Sequence, residues 1–120
     1  MENKALHGCL GEFFLKEITS KLPPSIVIDE DPRTKLEYSF GVDVLKFKNE
    51  LRNFFSKCHA MNIKCGVSTD YRHENILHAQ DAGADFAEID FSGYEKNKAD
   101  YDLALEIADE RNFKIIKKYN

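Results

Sequence analysis

The residues best suited to chemistry stand where apolar runs end. In SIVIDEDPR, Ser25 to Arg33, the run Ile26, Val27 and Ile28 gives way to Asp29, Glu30 and Asp31, and then to Pro32. Three acids behind a β-branched run form either a solvated turn or a cation site. Carboxylate oxygens, completed by water and substrate phosphate, are the ligands magnesium prefers. A second cluster, Ser68, Thr69 and Asp70, follows IKCGV, and a third, Asp90, Ser92 and Gly93, closes DFAEID. Each has a plainer alternative, because Asp and Ser are ordinary helix caps and turn residues.

These clusters need elements to position them. Residues 4–22 carry Leu6, Leu10, Phe13, Phe14, Ile18 and Leu22 at helical spacing, stopped by Pro23 and Pro24, which predicts an amphipathic N-terminal helix. SIVID is the first strand, apolar throughout as in a sheet covered on both faces. Residues 34–47 are open to two readings, a β-hairpin about Gly41 or a short helix and then a strand. A helix over 49–61, capped by Asn49, presents Leu51, Phe54, Phe55, Cys58 and Met61 inward. IKCGVST is the next strand, DYRHEN a polar turn, and a helix over 76–82 ends at Gly83, a natural left-handed stop. DFAEIDF is a strand. Asn97 and Asp100 open a helix with Leu103, Ala104, Ile107 and Ala108 inward, and FKIIKKY is the last strand.

Strands alternating with helices in one 120-residue domain predict an α/β fold. The expected form is a Rossmann-like three-layer sandwich, with a mostly parallel sheet of about five strands and the extra N-terminal helix. Ligands in such sheets sit beyond the carboxyl ends of the strands, near the switch in strand order. The three polar clusters fall at that edge. A net charge of −4, from 17 basic and 21 acidic residues, argues against sequence-independent nucleic-acid binding. No apolar segment approaches the ~18 residues of a membrane span. Cys9, Cys58 and Cys65 form no C-x-x-C pair and no apolar signal run precedes them, so they read as small buried hydrophobes of a cytoplasmic protein.

Taken together, DED, NIKCGVSTD and EKNKADYDLALEIADERN resemble the haloacid dehalogenase superfamily of phosphohydrolases over residues 25–113. The resemblance implies a small capless enzyme acting on a phosphomonoester with Mg2+. Asp29 would be the nucleophile and Asp31 the acid–base partner, both holding the metal. Thr69 would bind the phosphate, and Lys98, or Lys96, would neutralise charge. Ser68 and Arg72 would be auxiliary phosphate contacts. The sequence departs from the family at Pro32-Arg33, where Gly-Thr is usual, and at FKIIKKYN, which lacks the acidic pair that completes the magnesium site. An inactive relative that retains the fold without the metal is therefore the close second expectation.

A weaker resemblance is to response-regulator receiver domains. Asp29 and Asp31 would hold Mg2+, Asp70 would accept phosphate, and Ser92 and Lys117 would complete the site. A third expectation is a non-enzymatic protein-binding domain, associating with itself or a partner through residues 4–22. His73 and His78 lie on different faces of a helix and are set aside as a zinc pair, while Arg72 and His73 near a helix start suit an anion.

Overall fold

The computed structural model describes residues 6–9, 25–30 and 41–119. In chain order the elements are β1 (Leu6–Cys9), β2 (Ser25–Glu30), α1 (Lys48–Ala60), β3 (Lys64–Thr69), α2 (His73–Asp81), β4 (Phe86–Asp90), α3 (Lys98–Glu110) and β5 (Lys114–Lys118). A single 3-10 turn, Tyr94–Lys96, precedes α3. The protein is α/β, a five-stranded parallel sheet with Rossmann-like βα units, as its alternation of strand and helix patterns predicts.

The strand order is β1-β2-β3-β4-β5, each strand parallel to its neighbour. Among the described strands the order never reverses, so the expected ligand site at a switch in strand order has no counterpart there. Sequential order also decides where the helices lie. Right-handed crossovers that always step in the same direction place their helices on the same face. The buried residues agree. Leu51, Phe54, Phe55 and Cys58 of α1, Ile76 and Ala79 of α2, and Tyr101, Ala104 and Ala108 of α3 join one core with Ile26, Ile28, Cys65, Val67, Ala87 and Ile89. Val27 and Phe86 are buried too but lie outside that core, on the other face of the sheet.

The three described helices end in the same way. Asn62, Gly83 and Asn112 follow the last turn with φ of 59°, 104° and 55°. The next residue then donates its N–H back to the last turn: Ile63 to Cys58 O at 2.9 Å, Ala84 to Ala79 O at 3.0 Å and Phe113 to Ala108 O at 2.8 Å. This left-handed closure satisfies helix carbonyls and tucks an apolar residue into the core. It delivers β3, β4 and β5 to the sheet after turns of three, four and three residues. Gly83 was legible as such a stop; Asn62 and Asn112, the commonest non-glycine residues in that conformation, serve identically.

Several expectations require correction. Residues 6–9 are a strand, not part of a helix over 4–22, because the open edge of β2 offers them a backbone ladder, Leu6↔Ile26 to Gly8↔Ile28. The remainder of that predicted helix, including Phe13 and Phe14, lies outside the described residues. Val42–Phe47 form turns leading into α1 rather than a strand, and residues 34–40 are outside the described set. Helix α1 starts at Lys48, so Asn49 sits inside it and accepts from Arg52 instead of capping. Helix α2 starts at His73, three residues before its apolar run, because Asp70 turns the chain there. Leu103 is 41% exposed, and Tyr101 takes its inward place at i, i+3, i+7 with Ala104 and Ala108. Among the described residues no helix is long and apolar enough to cross a membrane.

Candidate functional site

The carboxyl edge of the sheet is largely spoken for. Asp29 is next to last in β2, which runs parallel between β1 and β3; Asp31 lies outside the described residues. Thr69 is fully buried and donates to Val42 O at 3.3 Å. Gly41 and Val42 run against this strand end, with Val42 N–H on Ser68 O at 2.9 Å. Gly41 has φ +86°, and a Cβ there would lie 2.4 Å from Ser68 O, so only glycine allows the approach. The Thr69 hydroxyl therefore meets backbone.

Asp70 is buried and held on both oxygens. Oδ1 accepts from Arg72 N–H at 3.1 Å and Asn75 Nδ2 at 2.6 Å, and Oδ2 accepts from Arg72 Nε at 2.9 Å. That hydrogen bond raises the Arg72 guanidinium above its ordinary pKa. The expected phosphoacceptor and auxiliary phosphate ligand thus bind one another and shape the turn into α2. Ser92 donates its N–H and hydroxyl to Asp90 Oδ1 at 2.9 and 2.7 Å. Lys98 is exposed, 3.6 Å from Glu95, and Lys96 is exposed on the 3-10 turn. Lys117 lies over the Phe91 ring at 5.2 Å. Phe91, Tyr71, Tyr94 and Tyr101 stack into an aromatic plug here, with centroids 4.6 to 5.9 Å apart. Burial, and next the Asp90 charge, push the Tyr101 phenol up; its hydroxyl donates to Asp90 O at 2.8 Å.

The face of the sheet opposite the helices is different. Glu88 in β4 is an acid, yet its side chain is only 7% exposed. His7 Nε2 of β1 lies 3.0 and 3.1 Å from its two carboxylate oxygens, Ser68 Oγ of β3 donates to Oε1 at 3.2 Å, and Lys118 Nζ of β5 is 3.7 Å from Oε2. Strands β1 and β4 are three ladder spacings apart, about 14 Å in a flat sheet. Side chains standing off a flat sheet would not meet across that distance. The sheet is therefore curled toward this face, and the curl makes it concave. Beside the cluster is a depression of about 170 Å³, lined by Ser25, Lys64, Phe86, Glu88, Lys114 and Ile116 among others. Phe86 covers Gly66 so closely that a Cβ there would lie 2.5 Å from its ring.

Sequence reasoning took Ser68 only as a phosphate ligand at the edge and passed over His7, Glu88 and Lys118. The available signal was an acid inside the apolar run FAEID. A carboxylate at the centre of a buried strand needs partners, and those partners are 81, 20 and 30 residues away. Metal-ligating atoms converge elsewhere, at His59, Cys65 and Asp85, on the amino side of β3 and β4. No family model matches the chain, and no curated protein matches it.

Proposed function

We propose that the chain binds a small anionic molecule on the concave face of its sheet and moves a proton on it. Glu88 exchanges the proton and His7 partners it. Lys118, with Lys64 and Lys114 at the rim, balances the negative charge of the ligand. The observation that carries this reading is the Glu88 carboxylate, buried in mid-strand between Ala87 and Ile89 and met by side chains from three other strands. A buried acid is costly and adds little net stability over apolar packing, so its place beside a depression favours a working role. A carboxylate base next to an ammonium and an imidazole suits proton abstraction beside a carbonyl, where the cations hold the developing enolate charge. The substrate class is then a small keto acid.

The test is solvent exchange. Small keto acids are incubated with the protein in D2O, and their α-protons are followed by NMR. Protein-dependent loss of those signals, abolished by Glu88→Gln with the fold intact, supports the proposal. Exchange no faster than in buffer, across the set, refutes it.

The second reading is Mg2+-dependent phosphoryl transfer from a phosphomonoester at Asp29 and Asp31. It is favoured by the place of β2, parallel between two strands with Asp29 near its carboxyl end. Magnesium-dependent release of phosphate from an aryl phosphate, lost on Asp29→Asn, would support it over the first.

A further inference from the structure

The amino side of the sheet carries a group of side chains that neither reading uses. His59 is the next-to-last residue of α1, Cys65 the second residue of β3, and Asp85 the residue just before β4. His59 Nε2 is 2.9 Å from Asp85 Oδ2 and 3.3 Å from Cys65 Sγ, and Cys65 Sγ is 3.7 Å from Asp85 Oδ2. The left-handed turn at Asn62 brings this about. It folds the chain back from α1 into β3 within six residues, so His59 and Cys65 face each other, while parallel pairing sets Asp85 beside Cys65. Asp85 Oδ2 also accepts the Cys65 N–H at 2.8 Å, which fixes the carboxylate.

The geometry points to a transition-metal site, zinc by its chemistry, with His59 Nε2, Cys65 Sγ and Asp85 Oδ2 as protein ligands. A tetrahedral zinc ion with ordinary bond lengths separates its ligands by about 3.6 Å for S and N, 3.5 Å for S and O, and 3.3 Å for N and O. The three observed separations fall within about half an ångström of those values, so an ion could settle over this triangle after small side-chain movements. The fourth position is left to water.

The donor set selects the metal. A thiolate and an imidazole suit zinc, cobalt or copper and offer magnesium little, since magnesium wants oxygen. Two of the three ligands are solvent-accessible while the sulfur is buried, so an ion has an entry path. A metal-bound cysteine is a thiolate, so binding releases the Cys65 proton and affinity falls as pH falls. The metal would clamp the end of α1, the start of β3 and the turn into β4 together, at the border of the depression that Asp85 and Glu88 both line.

The test uses the full chain, reduced and freed of metal, titrated with Co2+. The expected result is one equivalent bound, with a sulfur-to-cobalt charge-transfer band and the intense visible bands of tetrahedral cobalt, reversed by Zn2+ and unaffected by Mg2+. His59→Ala, at an exposed position that need not disturb folding, should weaken cobalt binding about tenfold or more, as should Asp85→Asn. Zinc at a hundredfold excess over its Kd should raise the midpoint of thermal unfolding by about 10 °C. A pale octahedral spectrum without the sulfur band, or a His59→Ala protein that binds as tightly as the parent, would overturn the assignment.

Discussion

Replacing Gly66 by alanine probes the concave face through a single methyl group. Gly66 sits in β3, paired with Val27 on one side and Phe86 on the other. A Cβ at this position would lie 2.5 and 2.6 Å from two carbons of the Phe86 ring and 2.7 Å from the Phe86 carbonyl oxygen. Ordinary contacts are 3.4 Å or more, so the ring must retreat by roughly 1 Å, into an off-rotamer position costing about 0.5–1.5 kcal/mol. The carbonyl belongs to the backbone of β4 and cannot turn away, so the pairing of β3 with β4 must open slightly. Overpacking of this kind costs about 1–3 kcal/mol. Against it stands the reduced freedom of the unfolded chain, which favours alanine over glycine by about 0.4–1 kcal/mol. The net expectation is a loss of about 1–2 kcal/mol. At roughly 2.1 cal/mol/K of unfolding entropy per residue, 120 residues give about 0.25 kcal/mol/K, so the midpoint drops by about 4–8 °C. Calorimetry or circular dichroism melts of parent and variant measure this. A variant as stable as the parent, or more so, would show that Phe86 does not lie over Gly66 and that the concave face is not packed as described.

Two further outcomes follow from buried partners. Asp70→Ala strands the Asn75 amide and releases Arg72 from the turn into α2; the loss should be about 2–3 kcal/mol in urea unfolding, whereas an Asp70 that merely decorates the surface would cost under about 0.5 kcal/mol. Tyr101 has its folded pKa raised, first by burial and then by Asp90, so the native state favours the neutral phenol. Its stabilising contribution is complete below the unfolded value near 10 and is lost as pH rises through the higher folded value. Unfolding free energies measured across alkaline pH should therefore fall more steeply for the parent than for Tyr101→Phe, and parallel curves would contradict the assignment.

Local signals in the chain were strong enough to specify the repeating unit and its class. The spacing of Leu51, Phe54, Phe55 and Cys58 specified one face of a helix, and the short, largely apolar runs about Ile26, Val67 and Ile89 specified strands between helices. Gly83 marked a helix stop because a left-handed residue is a local requirement. The four residues of β1 left no such signal, since a short edge strand is made by its neighbour's open ladder rather than by its own pattern. The polar ends of strands were visible as a group, but not their partners. Thr69 turns to a backbone carbonyl and Asp70 to Arg72 because Gly41–Val42 and the start of α2 pack there, which periodicity does not encode.

By itself, the sequence determined that apolar strands would alternate with amphipathic helices and close into parallel βα units, because both periods and most turns are local properties of the chain. Only the tertiary structure decided the strand order, and with it the curl of the sheet. That curl gathers His7, Ser68, Glu88 and Lys118 from four strands, and the short turn after α1 brings His59 to Cys65 and Asp85. Contacts between residues tens of positions apart depend on how the units stack, and stacking is set by the sum of packing over the whole sheet rather than by any one segment.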